Sequence, residues 1–214
     1  MFSSPTLPAG PYLGPIAYTI PPSPCLPSHF PPQAILPYHR AYPSYQPSFP
    51  IQIQPQPGPG DPPERWNWDS PIIISPHDSD RIYFGSQRLW RSHDRGFQWT
   101  AISEDLTTNT NRYELPYMGR VWELDAMHDN GAMSQYATLT TISESPITEG
   151  LLYTGSDDGL IHSSTDGGHS WTRATPLPGV PERSFINKVE ADLHSSGTVF
   201  ALADAHKLGD YSPY

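Results

Sequence analysis

The run Ser164-Thr165-Asp166-Gly167-Gly168-His169-Ser170-Trp171 repeats the pattern of Ser92-His93-Asp94-Arg95-Gly96-Phe97-Gln98-Trp99, both reading Ser-x-Asp-x-Gly-x-x-Trp. The spacing has a mechanical meaning. An Asp carboxylate accepts backbone N–H groups a few residues on, and a Gly takes positive φ where the loop reverses. The Trp folds back as an apolar plug whose indole N–H seeks a carbonyl. Each copy therefore predicts a closed β-hairpin connection. A structural role follows for Ser92, Asp94, Gly96, Trp99, Ser164, Asp166, Gly168 and Trp171.

Working outward, Ser75-Pro76 aligns with Ser145-Pro146, Tyr83 with Tyr153 and Gly85 with Gly155. A third copy begins near Val189, where Thr198-Val199-Phe200-Ala201 takes the place of Leu151-Leu152-Tyr153-Thr154. Tyr153 and Phe200 are 47 residues apart, close to the period of a four-stranded propeller blade. Tyr83 and Tyr153 are 70 apart, so the first interval carries an insert. Short β-rich runs separated by turn clusters fill the rest: residues 71–74, 81–85, 88–91 and 97–102.

These repeats, with Arg65-Trp66-Asn67-Trp68-Asp69-Ser70-Pro71 and Gly155-Ser156-Asp157-Asp158-Gly159, resemble the bacterial sortilin-like proteins. That family carries the sortilin N-terminal (vacuolar sorting receptor) propeller with Asp-box, or BNR, repeats, and its members are often labelled glycosyl hydrolases. The resemblance covers residues 64–214 and implies an all-β partial propeller of four-stranded blades, with the remaining blades lying in sequence beyond this chain. The expected division is a disordered Pro-rich segment over residues 1–63, blade 1 over about 70–106, an insert over 107–137, blade 2 over about 138–185, and the start of blade 3 over 186–214.

Composition supports the same division. Of 27 prolines, 19 lie in residues 1–63, where no apolar periodicity could offset the entropy of ordering. The stretch reads as a linker, a ligand for an aromatic-lined groove, or an unrelated extension. The net charge of −10 falls entirely on residues 64–214, which argues against a nucleic-acid partner, since that needs clustered Lys and Arg. A single cysteine, Cys25, excludes an internal disulfide and a Cys-based metal site. No run is long enough for a membrane span, and no basic, uninterrupted leader is recognisable, so the compartment is left open.

Chemistry must come from outside the repeated turns, because neighbours such as Ser92-His93-Asp94 on a tight turn point apart and cannot form a facing triad. Asp157-Asp158-Gly159 has two carboxylates, yet it reads first as a hairpin turn without the further oxygens calcium requires. The insert is richer: Glu123, Asp125, His128 and Asp129 lie close together, flanked by Tyr117 and Trp122. Long loops on a rigid scaffold commonly carry ligand contacts. A glycosidase would pair two carboxyls about 5 or about 6.5–9.5 Å apart, with Asp125 and Asp129 as acid and base and Trp122 as a sugar platform. Arg88, Arg91, Arg112 and Arg120 show no context resembling a sialidase arginine cluster. The expectation is a scaffold for a protein or carbohydrate ligand, without metal, cofactor or catalysis of its own. The alternative is part of a glycoside hydrolase whose site is completed by further blades.

Overall fold

In the computed structural model, residues 52–117, 119–122, 135–174 and 176–213 are described. The first sheet consists of β1 (Ile72–Ile74), β2 (Ile82–Gly85), β3 (Leu89–Ser92) and β4 (Thr100–Ala101), an antiparallel meander in chain order. Two short strands, β5 (Pro116–Tyr117) and β6 (Arg120–Val121), pair by themselves within the insert. The second sheet repeats the meander with β7 (Leu139–Glu144), β8 (Leu152–Ser156), β9 (Ile161–Ser164) and β10 (Thr172–Arg173). A third sheet has β11 (Phe185–Ala191), β12 (Val199–Ala205) and β13 (Asp210–Pro213). No α-helix occurs among the described residues.

The repeat seen in the sequence is a repeat in backbone detail. Ser75 N donates to Arg81 O at 2.9 Å, and Ser145 N donates to Leu151 O at 2.9 Å. The Ser75 and Ser145 hydroxyls then accept the amides of His77 and Ile147, closing each β-turn before its second strand. Within β2 the side chains alternate: Tyr83 is fully buried toward the second sheet, while Phe84 turns away and stacks obliquely on Trp66 and Trp99. The residues 97–102 are less of a strand than their composition suggests. Only Thr100–Ala101 pair, because Phe97, 75% exposed, is consumed in the turn.

The sheets stack face on face. Tyr83, Leu89 and Leu106 meet Leu139, Ile142 and Leu152, and Tyr153 and Ile161 meet Ile186, Val189 and Ala203. Successive four-stranded meanders packed this way are propeller blades. Close approach is set by equivalent glycines. A Cβ at Gly155 would lie 2.5 Å from Ile186 Cγ2 and 2.8 Å from Thr141 Cγ2, and one at Gly85 would lie 2.8 Å from Pro71 Cγ. Polar stitches cross the same interfaces: Leu139 N donates to Ser86 O, Val189 N to Thr141 Oγ1 and Ala191 N to Ser143 Oγ.

The Pro-rich stretch contributes to this packing. Pro55 is fully buried, and Ile53 Cβ lies 3.1 Å from where a Cβ on Gly96 would stand. Ile102 occupies the same place against Gly168, at 2.8 Å from its Cδ1. Ile53 thus stands against the first sheet as Ile102 stands against the second. Composition gave no sign of that contact. The expectation of disorder for residues 1–51 lies outside the described residues.

Candidate functional site

The two repeated turns use up their own polar groups. Ser92 Oγ donates to Asp94 Oδ1 at 2.8 Å and accepts Gly96 N at 2.8 Å, and Asp94 Oδ1 also accepts Gln98 N at 2.8 Å. In the second copy Ser164 Oγ donates to Asp166 and accepts Gly168 N, while Ser170 donates to Asp166 from both its amide and its hydroxyl. The Gln98 amide, and then Ser92, hold the Asp94 carboxyl below the usual range; the Ser170 hydroxyl and amide do so for Asp166. Trp171 Nε1 donates to Ile102 O at 2.9 Å, across to the neighbouring sheet. Trp99 Nε1 is buried without a partner among the described residues.

Glu123, Asp125, His128 and Asp129 lie outside the described residues. Tyr117 closes the short β5–β6 pair, and Trp122 follows it, half-buried, with the Arg120 guanidinium 4.5 Å from its ring centre. Trp122 lines a cleft open to solvent. One wall comes from the insert: Tyr113 on a single 3₁₀ turn capped by Asn111, then Pro116, Trp122 and Tyr136. The other comes from the second and third sheets: Asp157 after β8, Arg183 and Phe185 at the entry to β11, and Asp204 and Lys207 where β12 turns into β13.

Asp157 and Asp158 form the hairpin turn expected from the sequence and also anchor the insert. The segment is a hairpin turn, with Gly159 at φ +90° and Gly159 N donating to Ser156 O, but both carboxylates turn inward and are 3% and 2% exposed. Asp158 Oδ2 accepts the amide and hydroxyl of Thr108, and Asp158 Oδ1 accepts the Ser156 hydroxyl. It pins the start of the insert to the second sheet. Asp157 accepts the amide and hydroxyl of Thr138 at the insert's other end. Burial, with Asp158 beside it, nevertheless pushes the Asp157 carboxyl up to about 6. Burial also raises the Tyr136 phenol and lowers the Lys207 ammonium, which lies 4.9 Å from the Phe185 ring centre. Side-chain orientation decided these roles, and a turn-forming dipeptide carries no signal for it.

Among the described residues no group of three or more His, Cys, Asp or Glu could hold a metal ion. None of their helices is long and apolar enough to cross a membrane. No family model matches the chain. Over 121 residues it is 30% identical to a xyloglucanase from a Paenibacillus species, covering 51% of this chain and 10% of that enzyme. The chain is similar to part of a xyloglucanase. Among solved structures, a family 74 xyloglucanase from Xanthomonas campestris superposes with a TM-score of 0.43 at 22% identity, over 66% of this chain and 19% of that one. The protein YCF48 bound to D1 peptide gives 0.36 at 16% identity, over 63% of this chain and 37% of its own. The chain thus spans about a tenth of the length of the curated relative it matches.

Proposed function

We propose that this chain is part of a sortilin-like Asp-box propeller that binds a carbohydrate in the cleft between the insert and the second and third sheets. The cleft is the observation that carries the reading. It is the place where the one segment outside the repeat meets the repeated scaffold, and it combines ring faces (Tyr113, Trp122) with hydrogen-bonding and charged groups. Aromatic platforms with a few polar groups are what a sugar site requires. Residues 64–214 act as the scaffold, with no turnover of their own. The partial identity to a xyloglucanase supports a saccharide over a protein ligand.

A second reading is favoured by one feature: Asp157 is a buried carboxyl in the cleft, half protonated near pH 6, as a general acid needs. On that reading the parent is a glycoside hydrolase and a further blade supplies the opposing carboxylate. The test is titration of the full chain with xyloglucan and other oligosaccharides, followed by the indole signals and by release of reducing ends. Binding lost in Trp122→Ala without turnover is the expected result. Turnover by the chain joined to its further blades, abolished by Asp157→Asn, would replace it with the enzyme.

A further inference from the structure

The three sheets keep one register. Ile72 pairs with Phe84, Ile142 with Thr154 and Val189 with Ala201; one step along, Ile73 pairs with Tyr83, Ser143 with Tyr153 and Glu190 with Phe200. Positions 72, 142 and 189 are therefore equivalent, and so are 83, 153 and 200. Each contact between neighbouring sheets uses one of each kind: Tyr83 of the first shares a core with Ile142 of the second, and Tyr153 of the second with Val189 of the third. The series leaves one face over at each end. Phe200 on the third sheet is 61% exposed, and Ile72 and Ile74 on the first are 47% and 63% exposed, whereas their counterparts are all buried. Ile73 packs toward the second sheet, so Ile72 and Ile74 turn the other way.

The two open faces match in chemistry. Tyr83 donates its hydroxyl to Glu144 at 3.2 Å, and at the equivalent positions Phe200 has no hydroxyl to place and Ile74 no carboxylate to receive one. The points of closest approach change together as well. In the two internal contacts Gly85 meets Pro71 and Leu139, and Gly155 meets Thr141 and Ile186. The next set in the same register is Leu202 with its cross-strand neighbour Lys188 on the third sheet, and Asp69 ahead of β1. Bulk passes from one face to the other, and a lysine comes opposite an aspartate. Among the described residues the third sheet also has three strands where the first two have four.

We infer that the third sheet docks on the first sheet of a second copy of this chain, and the first sheet on that copy's third, so that two copies close a ring of six sheets. Each new contact repeats those already inside the chain, with Phe200 against Ile72 and Ile74 of the second copy and Lys188 beside its Asp69. Six blades fall within the four to eight typical of propellers, and a head-to-tail contact that closes by rotation forms a ring. Ile53 of the second copy then stands beyond β13, at the open outer edge of the third sheet, as Ile102 follows β4 against Gly168. The ring needs no ligand, and it stands or falls apart from the carbohydrate reading.

Sedimentation equilibrium of the full chain from about 1 to about 100 μM tests this. The mass should rise to twice 23.8 kDa and stop there. Phe200→Lys and Ile72→Glu each bring a charge into an apolar contact and should each weaken association about a hundredfold or more. Both positions are exposed in the single chain, so melts of the dilute variants should show both folded. An equimolar mixture of the two variants should regain the doubled mass, because one of its two contacts is native and the other sets the introduced lysine against the introduced glutamate. A native chain that keeps its single mass at every concentration overturns the inference and assigns the face to a sheet of another sequence. Growth past two copies, association unaffected by Ile72→Glu, or a mixture that fails to recover also overturns it.

Discussion

Replacing Gly155 by Ala tests the blade stacking at its tightest point. The added methyl would stand 2.5 Å from Ile186 Cγ2 and 2.8 Å from Thr141 Cγ2, where real carbon contacts are about 3.5–4.0 Å. Ile186 is 1% exposed and sits in the core shared by the second and third sheets, so it has no solvent side to move toward. Relief requires the sheets to separate or Ile186 to leave its rotamer, costing roughly 1–3 kcal/mol, and the closeness of the contact favours the upper end. For a domain of this size the upper end of that range lowers the melting midpoint by roughly 6–12 °C. The control is Gly197→Ala, where nothing lies within 4 Å and φ is unstrained, and where reduced freedom of the unfolded chain should stabilise by about 0.4–1 kcal/mol. A third variant makes the cause explicit: in an Ile186→Ala background, Gly155→Ala should cost much less, giving a coupling energy of about 1 kcal/mol or more. Urea unfolding of these variants beside the native chain measures all of this. If Gly155→Ala is as stable as Gly197→Ala, or its cost is unchanged in the Ile186→Ala background, the sheets do not meet as described.

The two tryptophans of the repeated turns should respond differently to loss of the indole N–H. Trp171→Phe breaks a hydrogen bond to Ile102 and should cost about 1–2 kcal/mol more than Trp99→Phe, whose indole nitrogen has no partner to lose, as read by chemical denaturation. Asp157 has a folded pKa of about 6, above its unfolded value, so the folded state binds the proton more tightly and this group's contribution falls as pH rises from about 4 through 6. Relative to the native chain, Asp157→Asn should therefore gain stability with rising pH, by at most about 3 kcal/mol, and parallel melting curves at pH 4.5 and 7.5 would contradict that. Ile53→Asp should destabilise the first sheet by roughly 2–4 kcal/mol and expose Trp66 and Trp99 to a fluorescence quencher, whereas Gln52→Asp, at an exposed position, should do neither.

The sheets were legible because their signals are local and repeated. The Ser-Pro turns before β2 and β8 and the small residues Gly85 and Gly155 recur 70 residues apart, the Ser-x-Asp-x-Gly-x-x-Trp turns 72 apart, and the first two sheets follow from them. The candidate site was only partly legible. Trp122 could be singled out as an aromatic in an insert, and it does line the cleft. Asp157, Lys207 and Arg183 could not, because their meeting depends on how three sheets stack and on Thr108 and Thr138 drawing two turn carboxylates inward. Long-range pairing of that kind leaves no periodic trace in the chain.

The contact between Ile53 and Gly96 separates the unit of repetition from the unit of folding. A repeat can be recognised from its first strand to its turn, yet the turn's glycine is seated against an isoleucine that belongs to the segment before that first strand: Ile53 for one sheet, Ile102 for the next. Each blade borrows its outer wall from whatever precedes it. The folded boundary at the N-terminal side therefore lies upstream of the first recognisable repeat. A protease or an engineered truncation acting between residues 56 and 63 would leave every repeat motif intact and still remove part of the first blade's core.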